Sequence, residues 1–531
     1  MLAARIAAVV VSGASMRLVS PPTGLHEIHW FNLVLAFWAL RPGEDKKNGW
    51  LMYLFGFSLV ATNYSWISES VINFSNFHPV LAWGCVLGYA GLSAIPFWLV
   101  GWSSHWLRDR AGTWWVWLLP GLQVAIEKCW PALFPYYHGA LLYRTEWLWQ
   151  FASVLGVTSL TYLLFLSNAA LTEFLFYSKR SKKALAHLGA FFMLLAGVSL
   201  FGAWRHGKIE TALETAPTLR VAILQQDVTM EHRLSRNPWE SIRDWTNLTM
   251  KAAKDKPDLV IWPEGAMGGP LNPNDEQPYN ALGGRSLKSF FSELSSRFGF
   301  DFLVGGGTTT FHDEVDEDGH PSYTAYNSCY LFDRQGDIKG RYDKMILLPF
   351  GEYIPLADTF PVIRNLIRGP GNFKAGEKVT YFQAGTKEEG YTFSTPICYE
   401  AILASQMEKM VDADLFINIT NDAWFGDTAS THQHGMLAAV QPMEWGRPLV
   451  RIGYTGVSFV IEPHGRILYE TKAFEEVAKV EVLRRAGFET VYRKGGWVYP
   501  WLWTVLIPPL FWFLSRRRPK EMESVGSSQE K

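Results

Sequence analysis

Charged residues are missing from six long windows of this chain: Trp50–Ile67, Pro79–Trp106, Ala111–Ile126, Trp147–Thr172, Leu188–Trp204 and Gly495–Ser515. A helix rising ~1.5 Å per residue needs about 20 apolar residues to cross ~30 Å of hydrocarbon, so these windows read as membrane spans. Two shorter apolar stretches come first, Ile6–Met16 and Ile28–Leu40. The first has one Arg and small residues around a short apolar core, the look of a signal peptide. We read it instead as a span, because the second stretch then completes a hairpin, and the count becomes eight.

Basic clusters fall after every second stretch: Arg41, Lys46 and Lys47; Arg108 and Arg110; Lys179, Arg180, Lys182 and Lys183; Arg516, Arg517, Arg518 and Lys520. Short loops rich in Lys and Arg stay cytoplasmic, which places both termini inside. Four units follow: a bundle of about seven spans over 1–205, an exported domain over 206–494, a last span over 495–515, and a polar cytoplasmic tail over 516–531. Of the 24 Trp, 15 precede position 205 and four follow 494, where indole rings favour the membrane interface. The 49 Lys and Arg against 50 Asp and Glu leave no basic excess for nucleic-acid phosphates. Cys85 and Cys129 lie in apolar surroundings and read as small packed hydrophobes. Cys329 and Cys398 fall in the exported region, where a disulfide is the ordinary reading, although two Cys do not make a disulfide scaffold.

In the exported region β-rich runs alternate with helical patterns, which implies a layered α/β sandwich. Strands are expected at Leu219–Leu224, Leu259–Trp262, Phe302–Val304, Cys329–Phe332, Tyr391–Thr395, Leu415–Ile419 and Leu449–Ile461. Helices are expected at Ser286–Arg297 and Ala401–Met410, and hairpin turns at Asp333–Gly336 and Glu462–Gly465. Runs such as LVIW and LFINI are apolar on both faces, as in a sheet covered on both sides.

Three segments place a reactive side chain just after such a strand, where α/β sheets present their sites. Pro263 stops the Leu259–Trp262 ladder and presents Glu264. Lys344 and Glu352 flank an apolar stretch; a lysine held near carboxylates stays charged and can face a developing oxyanion. Cys398 follows a strand and precedes a helical pattern, an arrangement that raises a nucleophile and lowers a thiol pKa. Each has a plainer reading taken singly: a solvated Glu, a salt-bridged Lys, a buried structural Cys.

Together, Glu, Lys and Cys in this order, in the contexts Trp262-Pro-Glu264, Tyr342-Asp-Lys344 and Ile397-Cys-Tyr-Glu400, resemble the nitrilase superfamily. The motifs Leu348-Pro-Phe-Gly-Glu-Tyr353 and Asn418-Ile-Thr-Asn-Asp-Ala-Trp-Phe-Gly426, with the flanking spans, narrow the likeness to the apolipoprotein N-acyltransferases, from Ser12 through the last span. The resemblance implies an αββα nitrilase-like domain joined to an α-helical membrane bundle in a bacterial inner membrane, with the domain on the periplasmic side. It implies transfer of a phospholipid acyl chain to the α-amino group of a lipoprotein's diacylglyceryl-cysteine, through a thioester and without a cofactor. Glu264 would be the base, Lys344 the oxyanion partner and Cys398 the nucleophile. Glu352 would position Lys344, and Tyr399 and Glu400 would support or gate the site. His432 and His434 read as local structure rather than metal ligands. The aromatic segments Ile346–Pro355, Thr359–Ile367 and Ala423–Phe425 would form an acyl groove or lid.

The chain departs from the family pattern at Leu234, Gly265, Gln441, Pro442 and Tyr454, none of them a residue of the triad. Those departures bear on the acceptor. The competing readings are a membrane-tethered amidase of nitrilase type and a non-catalytic relative that binds lipoproteins or lipids.

Overall fold

The computed structural model describes residues 2–75, 78–178, 180–267, 272–315, 321–355, 359 and 373–516. Of the lid segment Thr359–Ile367 only Thr359 lies among them, and the tail beyond Arg516 lies outside. Among the described residues, five stretches are long and apolar enough to cross a membrane: Leu2–Val19, Pro79–Cys129, Val157–Tyr177, Lys182–Leu213 and Gly496–Ser515. The second holds two helices, Pro79–Ala111 and Trp115–Cys129, joined by a turn at Gly112–Trp114. The Asp45–Asn63 helix opens on Asp45, Lys46 and Lys47 and is not in this set. The bundle is polytopic, with fewer unbroken spans than the eight expected.

The stretch Ile28–Leu40 shows why. It is a turn of 3-10 helix, His26–Trp30, followed by the six-residue helix Leu33–Trp38, far too short to cross alone. Buried Asn32 and His29 interrupt it. The freed backbone is satisfied by neighbours: Asn168 accepts from Leu33 N–H at 2.9 Å and donates to His29 O at 2.9 Å, and Ser12 donates to Asn32 O at 2.5 Å. Irregular backbone at membrane depth is tolerated only when protein covers it in this way. The hairpin itself exists. Arg5, near the start of the Leu2–Val19 helix, donates to Ala39 O and pairs with Glu44 at 2.7 Å, so the broken limb returns to the level where the first began. Cys85 and Cys129 are exposed on the bundle rather than packed.

Twelve strands build two six-stranded sheets. The first contains β1 (Thr218–Gln225), β2 (Leu259–Trp262), β3 (Asp301–Val315), β4 (Pro321–Phe332) and β5 (Ile338–Asp343). The second contains β6 (Tyr381–Ala384), β7 (Tyr391–Ser394), β8 (Leu415–Thr420), β9 (Leu449–Gly453), β10 (Phe459–Ile461) and β11 (Ile467–Glu470). The last strand, β12 (Val477–Arg484), returns to pair with β1. The orders are β12-β1-β2-β3-β4-β5 and β6-β7-β8-β9-β10-β11. Both follow one plan: an antiparallel pair, two parallel pairs, then two antiparallel pairs. The sequence carries no repeat, yet the fold does.

Alternation along the strands assigns the layers. Val221, Ile223, Leu259, Ile261, Leu303 and Leu331 face the second sheet, in one core with Phe393, Leu415 and Ile417. Their neighbours Ala222, Leu224, Val260, Trp262, Phe302 and Phe332 pack under Trp245 and Phe291, from the helices Pro238–Ala253 and Leu287–Phe298. The core of the sandwich runs on without a break into the membrane bundle. Side chains tie the two parts together. Trp66 donates to Gln433 at 3.1 Å, Tyr399 donates to Leu133 O at 2.6 Å, and Glu444 accepts from Val157 N–H at 2.8 Å.

Two expected elements divide. The run Leu449–Ile461 becomes antiparallel β9 and β10, because the chain reverses at Gly456. A Cβ there would sit 2.1 Å from Asp422 Oδ2, so only glycine lets the turn close over that carboxylate. The expected Ala401–Met410 helix breaks at Leu403, whose extended backbone separates the 3-10 turn Cys398–Ile402 from the short Ala404–Met407 helix.

Candidate active site

The three sequence-marked side chains leave three different strands and meet. Glu264 follows β2, Lys344 follows β5 and Cys398 follows β7. Cys398 holds φ at +52°, the left-handed region, where a side-chain-bearing residue carries ~1–3 kcal/mol of strain. That conformation turns the chain sharply into the Cys398–Ile402 turn. Glu400 secures the elbow by accepting from Ile397 N–H at 2.8 Å, Met345 N–H at 2.7 Å and Ile346 N–H at 3.0 Å. It thereby staples the Cys398 elbow to the Lys344 loop, while Tyr342 O–H donates to the same carboxylate.

Lys344 Nζ lies 2.7 Å from Glu352 Oε2 and 3.7 Å from Glu264 Oε1. Asn327, on β4, bridges the two carboxylates, donating to each at 2.6 Å. The other Glu264 oxygen accepts from Asn421 N–H at 2.7 Å, just past β8. Glu352 also accepts from Leu348 N–H at 2.7 Å. Lys344 is 1% exposed and Glu264 and Glu352 are below 10%, so the cluster is dry. Asn327 and Asn421 carried no signal of their own in the sequence, although Asn421 sits inside the Asn418–Gly426 motif.

Burial opposes the Lys344 charge, but the carboxylates of Glu352 and Glu264 outweigh it and hold the ammonium above the usual lysine range. The Cys398 thiol moves the opposite way from the sequence expectation. Burial pushes it up, the Glu264 charge pushes it further, and Lys344 offsets only part. The expected lowering required a helix of useful length, whereas the elbow leads into a single 3-10 turn. At rest Cys398 is therefore a thiol that needs a base.

A second set of charges borders the elbow. His434 Nδ1 lies 2.8 Å from Asp422 Oδ1, and Arg451 Nη2 lies 2.7 Å from Asp422 Oδ2. His434 Nε2 faces Cys398 O at 3.3 Å. His434 thus belongs to the hydrogen-bonded group that borders the elbow. Burial would raise the Asp422 pKa, but Arg451 and His434 overcome it and hold the carboxyl at about 2, against an ordinary 3.8. A lowered folded pKa adds stability that is complete above about 3.8 and disappears as pH falls through about 2. Arg451→Leu leaves Asp422 buried without its cation and is expected to cost about 3–5 kcal/mol, measured by thermal unfolding in detergent. No change in melting would show that the pair does not hold the elbow.

One ligand atom each from Cys398, Asp422 and His434 lies within 4.8 Å of the others, a spacing open to a metal ion. Both Asp422 oxygens are already engaged, one by a guanidinium that would repel a cation. A similar trio, Glu210, Glu462 and His464, is neutralised by Arg484 and Arg466. Cys329 and Cys398 are both free thiols.

Four of the departures from the family pattern have a local structural account, and the fifth is placed only by its helix. Gly265 has φ +64°, and a Cβ there would meet Arg233 Nη2 at 2.7 Å. Tyr454 is fully buried edge-on to Trp245 at 5.2 Å. Gln441 accepts from Trp445 Nε1 at 3.1 Å, and Pro442 falls in the first turn of the Val440–Trp445 helix, where a missing N–H is tolerated. Leu234 lies in the Met230–Ser235 helix.

A pocket open on one side reaches Cys398 from the bundle side. Tyr64, Trp66, Phe134 and Tyr136 come from the bundle, and Tyr399, Phe425, Met436 and Leu437 from the sandwich. Tyr399 and Phe425 were marked by the sequence; the four bundle aromatics were not.

Two six-stranded sheets of one plan, with a buried Glu, Lys and Cys brought together, have the look of the nitrilase class, and residues 220–486 match the family model described as Carbon-nitrogen hydrolase. Residues 12–170 match the Apolipoprotein N-acyltransferase N-terminal domain. A curated apolipoprotein N-acyltransferase from Azotobacter vinelandii is 30% identical, covering 96% of this chain and 94% of its own. One from Geobacter metallireducens is 27% identical, covering 93% and 92%. A solved amidase from Nesterenkonia sp. is 16% identical over 52% of this chain and 92% of its own, with a TM-score of 0.35. The chain belongs to the apolipoprotein N-acyltransferase family.

Proposed function

We propose that this enzyme moves an acyl chain from a membrane phospholipid to the α-amino group of the N-terminal diacylglyceryl-cysteine of lipoproteins. The observation that carries the reading is the apolar pocket shared by bundle and sandwich, with Cys398 among its lining residues. A small soluble amide needs no such pocket, which weighs against the amidase alternative.

Glu264 takes the thiol proton as Cys398 Sγ attacks the ester carbonyl. Lys344 faces the oxyanion, a contact worth ~3–4 kcal/mol in comparable sites. The lysophospholipid alkoxide leaves with the proton from Glu264, and a thioester remains. The acceptor amine then attacks, and Glu264 passes its proton to the departing sulfur. The two half-reactions are ping-pong covalent catalysis. The apolar walls keep water away from the thioester. Glu352 and Asn327 hold Lys344 and Glu264 in register, and Glu400 and Tyr399 hold the elbow.

The protein sits in the bacterial inner membrane by this reading, with the sandwich on the periplasmic side and both termini cytoplasmic. The broken limb Ile28–Leu40 and the Asp45–Asn63 helix complete eight crossings. Residues 1–205, 206–494, 495–515 and 516–531 are then bundle, catalytic domain, last span and tail.

Intact-protein mass spectrometry after incubation with phospholipid tests the reading. An acyl adduct that requires Cys398, discharged onto a diacylated lipopeptide amine, is expected. An adduct lost only to water would remove the acceptor claim, and an absent adduct would favour a binding role. Leu437→Trp narrows the pocket and should slow acylation by a long-chain donor about tenfold more than by a short-chain ester. Equal slowing would place the acyl chain elsewhere.

A further inference from the structure

Gly265 follows Glu264 without a side chain, and hydrogen-bond donors border the space beside it. A Cβ there would lie 2.7 Å from Arg233 Nη2, 3.8 Å from Asn421 Nδ2 and 3.9 Å from Arg233 Cζ. Arg233 comes from the Met230–Ser235 helix, and its Cζ lies 5.1 Å from the ring centre of Tyr454. Tyr454 is itself fixed, buried edge-on to Trp245 and hydrogen-bonded to Ser241 at 3.2 Å. Gly265 and Tyr454 are two of the positions where the chain departs from the family pattern. Here they act together: one leaves room for the guanidinium, and the other gives it an aromatic platform.

Both side chains keep donors free. Among the described residues, Arg233 makes one side-chain hydrogen bond, from Nη2 to Gly265 O at 2.9 Å, and pairs with no carboxylate. Its Nε is buried without a partner. Asn421 is 4% exposed; its backbone N–H goes to Glu264 and its Oδ1 accepts from Ala423 N–H. Its Nδ2 makes no hydrogen bond among the described residues. A guanidinium stays charged and presents a planar fork that matches phosphate oxygens. The cation and the amide therefore form a seat for an anion, set directly beside Glu264.

The first half-reaction brings an anion to this place. With the acyl chain in the apolar pocket and the ester carbonyl at Cys398, the rest of the donor extends outside that pocket, and neither Arg233, Gly265 nor Asn421 lines it. Glu264 gives its proton to the departing glycerol oxygen, so the glycerol lies against Glu264. The phosphodiester is carried on that same glycerol. A second negative charge near Glu264 needs a cation of its own, because Lys344 is engaged with Glu352 and Glu264. We propose that Arg233, with Asn421, binds the phosphodiester of the acyl donor and makes the enzyme select phospholipids over uncharged acylglycerols. The acceptor brings an ammonium rather than an anion, so the seat serves acylation and not discharge. The inference rests on the acyl-transfer reading above.

The test measures the initial rate of acyl-enzyme formation on full-length protein from two donors with the same acyl chains. One is a phosphatidylethanolamine and the other the corresponding diacylglycerol, each in micelles of an uncharged detergent. The wild-type enzyme is expected to acylate about 30-fold faster from the phospholipid, the effect of one or two charge-assisted hydrogen bonds. In Arg233→Gln that ratio is expected to fall at least about tenfold, and in Arg233→Lys, which keeps the charge and loses the fork, by less. Equal slowing of both donors, or an unchanged ratio, overturns the proposal. Slower discharge onto a diacylated lipopeptide amine with an unchanged donor ratio assigns the seat to the acceptor and overturns it as well. If Arg233→Gln does not fold, the wild-type enzyme decides: adducts that form at one rate from both donors defeat the inference alone. A wild-type enzyme that forms no adduct from either donor defeats the transfer reading itself, and the inference with it.

Discussion

Cys398→Ala should retain the fold and lose acyl transfer by at least about 10⁵-fold, with no acyl adduct in the intact mass spectrum. Cys398→Ser should be nearly as inactive. The thiol already sits above its ordinary range, because burial and the Glu264 charge both resist a thiolate. Its proton therefore leaves only as the new bond forms, and a hydroxyl is a far weaker acid in the same dry place. The thiol is mostly buried and its removal leaves the Glu264–Lys344–Glu352 cluster paired, so melting should shift little. An active Cys398→Ala enzyme would remove the thioester from the mechanism.

Lys344→Met should damage both activity and stability. The ammonium is the cation for two buried carboxylates, at 2.7 Å from Glu352 and 3.7 Å from Glu264. Removing it leaves uncompensated buried charge, a loss of about 3–5 kcal/mol in folding. Transfer should fall by at least about 100-fold through loss of the oxyanion contact. The double variant Lys344→Met/Glu352→Gln separates the effects. Neutralising Glu352 should restore much of the melting temperature, while transfer stays lost. Recovery of both would mean that Lys344 only balances charge.

Much of the site was legible because its chemistry is local. Glu264 and Cys398 each follow an apolar strand, and a strand that ends in Pro or turns sharply presents its next side chain at the sheet edge. Lys344 was found by its place between Tyr342 and an apolar run. The partners that surround them were not legible. Asn327 lies mid-strand on β4 and looks like any polar residue of a hairpin. His434 belongs to a helix more than 30 residues from Cys398, and only the packing of that helix against the elbow brings Nε2 to the Cys398 carbonyl.

The sequence by itself determined that this chain is divided between lipid and water, since a charge-free window of span length has no other cheap environment. It also determined the layered α/β domain and pointed to the three side chains that meet at the candidate site, because apolar strands and the residues that end them are written in consecutive positions. Tertiary structure alone decided the rest. A thiol's acidity depends on which charges surround it, so Cys398 became a raised thiol beside Glu264 instead of a thiolate at a helix end. A crossing can be broken when neighbours satisfy its backbone, as Asn168 and Ser12 do for Asn32 and its neighbours. The pocket belongs to neither half of the chain: Tyr64 and Trp66 meet Phe425 and Leu437 only because one apolar core continues from bundle to sandwich. Burial and charge are sums over spatial neighbours, and those neighbours exist only once the chain has folded.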